Sequence, residues 1–227
     1  EDADLDLAVE ATVQGAFGST GQRCTATSRA IIIDSVADEF VRKLVARTKD
    51  YQAGRDLGPV VDTAQLREVL EAIEQAKKDG AKCLSGGKRA DDGDLTKGFY
   101  VEPTLFDHVD PKSHLALEEV FGPVLAILRV KDLDEALEVA NSVRYGLSSS
   151  IYSKDSNRIF KFLDRIETGI THVNSPTMGG EAQLPFGGVK DTGVGAREQG
   201  AVAIDFFTEL KTVYIDYTGQ KRDSKIY

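Results

Sequence analysis

The sequence predicts an α/β fold, a three-layer domain in which helices flank a largely parallel sheet. Short runs of β-branched and apolar residues, such as SRAIIID and VLAILRV, are typical of buried strands. Longer stretches with apolar residues at helical spacing lie between these runs, and strands that alternate with helices form parallel sheets. With 41% hydrophobic residues in 227, the chain can bury a sizeable core.

The predicted elements follow one another from the first residue. The opening stretch EDADLDLAVEATVQGAFG predicts a helix, because Asp2, Asp4 and Asp6 suit a helix N-terminus and apolar residues follow at helical spacing. The further predicted helices are ADEFVRKLVARTKDY, TAQLREVLEAIEQAKKDGAK with Gly80 as its stop, LDEALEVANSV and DSNRIFKFLDRIE. The further predicted strands are CLSGG, FYVEPTLFD, SSSIYS and GITHVN.

Two stretches near the C-terminus break the alternation. Residues 174–200 are rich in glycine and predict a long loop, and long ordered loops in compact domains are usually functional. Residues 206–217, FFTELKTVYIDY, predict a strand far from its sheet, which is typical of an oligomer contact. Residues 218–227 predict a loosely held tail.

The net charge limits the classes of partner, and the cysteine content indicates the redox setting. The net charge is −9, with 37 acidic against 28 basic residues and no long basic run. We therefore expect no nucleic-acid partner and no membrane partner, since both surfaces are anionic. Two cysteines make no disulfide framework, which predicts a cytoplasmic, reducing setting. Because the only methionine is Met178, we expect the chain to be part of a longer protein.

Residue chemistry leaves two readings of Cys24 open. Most cysteines are buried packing residues, and Cys83 at the start of an apolar strand fits that role. Cys24 instead lies in GSTGQRCTATSR, a polar, glycine-containing stretch in which a thiol could be exposed and reactive. If it is a nucleophile, His172 at a strand end is a candidate base, which would make the protein a cysteine hydrolase or transferase.

Two further motifs carry chemistry-bearing residues. EEVFGPV places two carboxylates, an aromatic ring and a Gly-Pro turn at the entrance of a predicted strand. LPFGGVKDTGVGARE is rich in glycine but contains no phosphate-loop pattern. Its glycines predict a close approach of the backbone to a ligand or to another element.

Together these motifs resemble the NAD(P)-dependent aldehyde dehydrogenase superfamily, from residue 1 to about residue 217. The stretch FGSTGQRCTATS matches the cysteine signature of that family at seven positions, and EEVFGPV and LPFGGVKDTGVGARE match two further signatures in the family's order. The matching positions of the cysteine signature are Phe17, Gly21, Gln22, Cys24, Thr25, Ala26 and Ser28.

The resemblance implies a role for each candidate residue. Cys24 would attack the aldehyde, its own backbone N–H would help to hold the oxyanion of the thiohemiacetal, and hydride would pass to NAD or NADP. Water would then hydrolyse the thioester to the acid. Glu119 would bind the nicotinamide ribose, Phe121 would lie against the nicotinamide ring, and Gln65 would also reach the ribose. Residues expected to line the aldehyde tunnel are Arg23, Thr25, Phe186 and the loop 175–182, which includes Gly180. No metal is implied.

The resemblance also implies what lies outside this chain. The family's general base, its second oxyanion donor and its dinucleotide-binding domain have no counterpart here, so we expect the isolated chain to be inactive. The implied organisation is a catalytic domain over 1–205 and an oligomerisation strand over 206–217 that forms a homo-oligomer. The connection YQAGRDLGPVV is shorter than is usual in the family.

The substrate implied by the resemblance is a semialdehyde of a dicarboxylic acid. The stretches HVNSPTMGGEAQLPFGG and GLSSSIYSKD are similar to those of the family branch that handles 2-oxoglutarate semialdehyde or aminoadipate semialdehyde. A non-catalytic domain of the same fold remains the alternative.

Overall fold

The computed structural model describes residues 1–217 and residue 219. The helices are α1 (Leu5–Phe17), α2 (Asp34–Thr48), α3 (Thr63–Lys78), α4 (His114–Leu117), α5 (Leu133–Asn141), α6 (Ser156–Arg165) and α7 (Val202–Phe207). The strands are β1 (Arg29–Ile33), β2 (Lys82–Ser85), β3 (Thr104–Asp107), β4 (Val124–Val130), β5 (Ser148–Ile151) and β6 (Ile170–Val173). Two 3₁₀ turns cover Gly93–Lys97 and Lys190–Thr192.

Aspartate side chains start four of the helices. Asp4, Asp62, Asp132 and Asp155 each accept a hydrogen bond from a backbone N–H in the first turn of α1, α3, α5 and α6. These bonds satisfy donors that a helix N-terminus leaves free. At the other end of α3 the chain turns at Gly80, where φ is +89°. Gly80 therefore ends the helix, as the sequence predicts.

The strands form two separate sheets. The larger sheet has the order β1-β4-β3-β2, in which β1, β4 and β3 are parallel and β2 is antiparallel to β3. The smaller sheet pairs β5 with β6 in parallel. The predicted α/β class and the largely parallel sheet are confirmed. The predicted strand FYVEPTLFD is shortened to β3, because Pro103 carries no N–H for a ladder.

Two apolar clusters cover the two faces of β4. The domain therefore has three layers, with the sheet between two layers of helices. Ala126 and Leu128 face one cluster, which is completed by α3 and α4, whereas Leu125 and Ile127 face the other, which is completed by α1 and α2. Side chains alternate between faces along a strand, so a strand buried on both faces is apolar at every position. None of the helices in the described part of the chain is both long and apolar enough to cross a membrane.

The C-terminal stretch differs from its prediction. Phe206 and Phe207 close α7 instead of opening a strand, so the boundary predicted between 205 and 206 falls inside this helix. Residues 208–217 are exposed and belong to no strand. The physical reason is that a strand exists only as part of a sheet, and residues 208–217 belong to neither sheet of the described structure. Its proposed pairing in an oligomer stays a prediction, and the predicted tail, apart from Gly219, lies outside the described residues.

The packing of β4 predicts the effect of truncating a core residue. Leu125 is fully buried in the cluster that α1 and α2 complete, whereas Leu210 is fully exposed. Leu125→Ala should lower the free energy of unfolding by about 2–5 kcal/mol, because it removes buried methyl groups and leaves a cavity. Leu210→Ala should change it by less than about 0.5 kcal/mol. Urea unfolding of the two matched variants measures both effects, and equal midpoints would contradict this core assignment.

Candidate active site

Cys24 lies in the turn between α1 and β1. The chain leaves α1 at Gly18 and passes through Thr20 and Gly21, whose φ values of 58° and 67° reverse its direction. Cys24 is an exposed free thiol, whereas Cys83 is half-buried and packs against the apolar cluster of α3. None of the described residues accepts a hydrogen bond from the backbone N–H of Cys24. A thiol and an unpaired donor therefore lie side by side at the surface.

A glycine contact joins the Cys24 turn to the EEVFGPV motif. A Cβ atom on Gly21 would lie 2.0 Å from the carbonyl oxygen of Gly122, so no larger residue fits this contact. The first two sequence motifs thus meet backbone to backbone. Gln22 links the same turn to the connection before α3, because its amide donates to the carbonyl of Pro59 at 3.1 Å and accepts from the N–H of Val61 at 3.0 Å.

The side chain of Gln65 supports the turn that carries Phe121. Its Nε2 donates to the carbonyls of Val120 at 2.9 Å and Phe121 at 3.2 Å. Phe121 has a φ of 53°, unusual for a bulky residue, and its side chain is 38% exposed. These bonds hold the backbone of Phe121 in a strained turn. The ribose contact that the resemblance implies for Gln65 stays a prediction.

The two glutamates of EEVFGPV have opposite environments. The carboxylate of Glu118 accepts hydrogen bonds from Arg144 at 2.8 Å and from the hydroxyl of Tyr145 at 2.9 Å, and these bonds hold its pKa below the usual range. Glu119 forms no hydrogen bond or ion pair through its carboxylate with any described residue. Partial desolvation by the surrounding protein raises the pKa of Glu119. The Glu118 carboxylate is therefore engaged within the protein, whereas the Glu119 carboxylate has no partner among the described residues.

Hydroxyl groups tie the Cys24 turn to the glycine-rich loop. Thr177 Oγ1 donates to the carbonyl of Thr25 at 2.8 Å and lies 2.9 Å from Thr27 Oγ1, with which it shares a hydrogen bond. The N–H of Thr27 donates in turn to the carbonyl of Gly15 in α1. Sequence reasoning singled out the polar residues around Cys24 and the loop, but it did not name Thr177 or predict its contact with Thr27, since no local pattern relates positions 150 residues apart.

The motif LPFGGVKDTGVGARE makes mainly backbone contacts with the rest of the chain. A Cβ atom on Gly169 would lie 1.9 Å from the carbonyl oxygen of Gly187, so the segment PFGGVK lies directly against the start of β6. Lys190 donates to the carbonyls of Asn141 and Val143 after α5. Phe186 is half-buried, and its backbone N–H and C=O pair with Glu198.

One large cavity, of about 530 Å³, opens at the Cys24 turn. Four of the predicted site residues line it, namely Arg23, Cys24, Glu119 and Phe121. The other four lie outside its lining, namely Thr25, Gln65, Gly180 and Phe186. Of these, Gly180 and Phe186 are adjacent to each other, since a Cβ atom on Gly180 would lie 3.3 Å from the Phe186 ring. Thr27 and Thr177 also line the cavity.

His172 lies in β6 and forms no hydrogen bond with Cys24. It is half-buried, outside the lining of the cavity, and burial lowers its pKa. This arrangement provides no nucleophile and base pair of the kind that a cysteine hydrolase needs. Within the described residues, no group of His, Cys, Asp and Glu side chains is arranged to hold a metal ion.

Known proteins share both the sequence and the structure of this chain. The profile of the aldehyde dehydrogenase family matches residues 1–213. The alpha-ketoglutaric semialdehyde dehydrogenase of Bacillus subtilis (strain 168) is 44% identical over 221 residues, which are 95% of this chain and 45% of that protein. The chain thus spans less than half the length of this relative.

Two solved structures superpose closely on the fold. The NAD-dependent aldehyde dehydrogenase of Sinorhizobium meliloti gives a TM-score of 0.90 at 30% identity, over 98% of this chain and 44% of that one. The betaine aldehyde dehydrogenase of Staphylococcus aureus, solved in complex with NAD⁺, gives a TM-score of 0.87 at 32% identity, over 91% of this chain and 42% of that one. The motifs that meet at Cys24, the matching profile and these relatives show that the chain belongs to the aldehyde dehydrogenase family.

Proposed function

We propose that this chain is the cysteine-bearing part of an enzyme that oxidises a semialdehyde to a carboxylic acid with NAD or NADP as oxidant. The observation that carries the proposal is the grouping of Cys24, Glu119 and Phe121 around one cavity, with the thiol exposed and the Glu119 carboxylate unpaired among the described residues. Family membership supports the reaction type.

Cys24 is the nucleophile of the proposed reaction. Its sulfur attacks the carbonyl carbon of the aldehyde, and the carbonyl oxygen becomes a negatively charged oxyanion. The backbone N–H of Cys24, which has no acceptor among the described residues, donates to that oxyanion. After oxidation, a water molecule attacks the resulting thioester, which releases the acid and returns the thiol. The hydroxyl contacts of Thr177 hold the backbone beside Cys24 in place for these steps.

Two cavity residues fit the nicotinamide end of NAD(P). Glu119 has an unpaired carboxylate that can accept hydrogen bonds from ribose hydroxyls, and Phe121 offers an exposed ring at a fixed position. When bound, the nicotinamide supplies the acceptor for the hydride that leaves the substrate carbon. The support for NAD(P) is this pair of residues together with the Staphylococcus aureus relative, which was solved with NAD⁺.

Arg23 is the candidate contact for the substrate carboxylate. Of the arginines in the cavity lining, Arg29 donates to carbonyls of α5 and Arg158 pairs with Asp2. Arg23 is exposed beside Cys24 and forms no ion pair with any described residue. The Bacillus subtilis relative, 44% identical and named for alpha-ketoglutaric semialdehyde, supports a substrate that carries a carboxylate.

The first prediction concerns the nucleophile. We consider a chimera in which this chain replaces the matching segment of the Bacillus subtilis relative. Cys24→Ser should lower its kcat for 2-oxoglutarate semialdehyde by at least about 10⁴-fold, because the hydroxyl is a far weaker nucleophile than the thiolate. Cys83→Ser is the matched control and should leave kcat unchanged, as should His172→Gln. The isolated chain should reduce no NAD(P). Turnover by the isolated chain would contradict the proposal that part of the active site lies outside it.

The second prediction concerns Glu119. In the same chimera Glu119→Gln should raise the KM for NAD(P) about tenfold, since the ribose loses a charged acceptor. Because desolvation raises the pKa of Glu119, the KM of the unmodified chimera should rise on acidification at a higher pH than an ordinary carboxyl group would produce. This rise should be absent in Glu119→Gln. Steady-state kinetics across the acidic range measure it, and an unchanged KM in the variant would exclude the ribose contact.

The third prediction tests whether Arg23 recognises the carboxylate of the substrate. Arg23→Gln should raise the KM for 2-oxoglutarate semialdehyde about fivefold, the scale of an exposed ion pair. The KM for butanal, which has no carboxylate, should stay the same. If both values rise together, Arg23 supports the turn and does not select the carboxylate.

A further inference from the structure

The position of Glu119 depends on its neighbours in the chain. Its carboxylate forms no hydrogen bond or ion pair with any described residue. The residues on both sides of it are anchored, Glu118 through its side chain, and Val120 and Phe121 through their carbonyls. These two anchors therefore decide where the Glu119 carboxylate lies.

Gln65 of α3 provides the anchor that follows Glu119. Its amide nitrogen donates to the carbonyls of Val120 at 2.9 Å and Phe121 at 3.2 Å. The next residue in the helix, Leu66, is buried in the apolar cluster that α3 completes. This anchor therefore belongs to a helix that is fixed by its packing.

Tyr145 provides the anchor that precedes Glu119. Its hydroxyl donates to Glu118 Oε2 at 2.9 Å and accepts from Arg144 Nη2 at 2.6 Å. The same nitrogen of Arg144 donates to Glu118 Oε2 at 2.8 Å. The guanidinium of Arg144 also lies over the Tyr145 ring, 4.6 Å from its centroid. The three side chains thus form one closed network.

Tyr145 is the more constrained of the two partners of Glu118. It is half-buried and lines the cavity, whereas the side chain of Arg144 is 56% exposed. An exposed ion pair contributes little, but a hydrogen bond to a charged acceptor contributes more. Burial and the Glu118 carboxylate raise the pKa of Tyr145, and the N–H of Glu119, which approaches the same hydroxyl, lowers it. The net rise keeps the hydroxyl protonated, so it can donate.

The backbone on both sides of Tyr145 is bonded to the motif LPFGGVKDTGVGARE. The carbonyl of Arg144 accepts from the N–H of Asp191 at 3.1 Å. The carbonyl of Gly146 accepts from the N–H of Val189 at 2.9 Å. The side chain of Tyr145 therefore extends from a fixed backbone and connects this motif to EEVFGPV.

We propose that Tyr145 is a positioning residue for Glu119, because its hydroxyl fixes Glu118 and thereby holds the adjacent carboxylate at the cavity. Neighbouring residues share one backbone, so a restraint on Glu118 limits the backbone rotations that would move Glu119. The inference rests on the proposed function for the ligand, the ribose of NAD(P). Tyr145 acts on that ligand through Glu119.

The hydroxyl of Tyr145 is less suited to bind a ligand itself. Its one proton is donated to Glu118, and it already accepts from Arg144. Removal of the hydroxyl should therefore affect the cofactor only through Glu119.

Titration of the Glu119 carboxyl in the isolated chain tests the positioning without a ligand. Desolvation raises the pKa of Glu119 in the unmodified chain. Tyr145→Phe keeps the ring and removes the hydroxyl, so the loosened carboxylate gains water and its pKa should fall toward the ordinary range. Tyr100→Phe, before β3 and outside the cavity lining, is the matched control and should leave the pKa of Glu119 unchanged.

Carbon-13 NMR measures this titration, and the signal that is missing in Glu119→Gln assigns it. The other charged groups near the network are His114, which faces Glu118, and Asp191, which faces Arg144. Both are present in every variant, so they do not produce a difference between the variants. The same pKa for Glu119 in Tyr145→Phe and in the unmodified chain would overturn the proposal.

Kinetics of the chimera test the consequence for the cofactor. Tyr145→Phe should raise the KM for NAD(P) about threefold and leave kcat and the KM for 2-oxoglutarate semialdehyde unchanged. In the Glu119→Gln background the same change should add nothing, because Tyr145 acts through Glu119. Independent losses in the double variant would overturn the proposal. If Glu119→Gln alone leaves the KM for NAD(P) unchanged, the ribose contact is wrong, and the titration still decides the role of Tyr145.

Two variants of Glu118 isolate its bond with Tyr145. Glu118→Gln retains an oxygen that accepts from the hydroxyl, so the KM for NAD(P) should stay near that of the unmodified chimera. Glu118→Ala removes the acceptor and should match Tyr145→Phe. Both variants lose the ion pair with Arg144, and circular dichroism checks that both fold. Equal KM values for NAD(P) in the two variants would contradict the role of the hydroxyl.

Discussion

The arrangement around Cys24 depends on one steric constraint, the contact between the backbones of Gly21 and Gly122. A side chain at position 21 would overlap the carbonyl oxygen of residue 122, and the φ of 67° there is costly for any residue with a Cβ. This contact brings the turn after α1 against the turn before β4. The exposed thiol, the unpaired Glu119 and the ring of Phe121 share one cavity because these two turns touch.

Neighbouring residues with the same chemistry have different roles in this site because their partners differ. Glu118 pairs with Arg144 and accepts a hydrogen bond from the hydroxyl of Tyr145, so it is engaged within the protein. The Glu119 carboxylate meets no donor among the described residues, and it is free to accept hydrogen bonds from hydroxyl groups. The same distinction separates Cys24 from Cys83, since only Cys24 lies on an exposed turn.

The space between β1 and β5 and the candidate site at Cys24 belong to one continuous cavity. β1 begins five residues after Cys24, so the cavity runs from the Cys24 turn along the edge of β1 that faces away from β4.

The sequence by itself determined the α/β class, most helices and strands, and the residue types of the candidate site. Periodicity and capping residues act locally, so α3 with Asp62 before it and Gly80 after it could be predicted from a short window. The assignment of Cys24 as a nucleophile came from the resemblance of three motifs and not from its own flanks. The strand predicted over 206–217 could not be tested in the same way, because a strand is defined by a partner that a local pattern does not contain. Only the tertiary structure decided that Thr177 contacts Thr25, that Gln65 supports the turn of Phe121, and that one cavity extends from Cys24 to the space between β1 and β5. These features join residues far apart in the chain, and such contacts follow from three-dimensional packing, which local sequence does not encode.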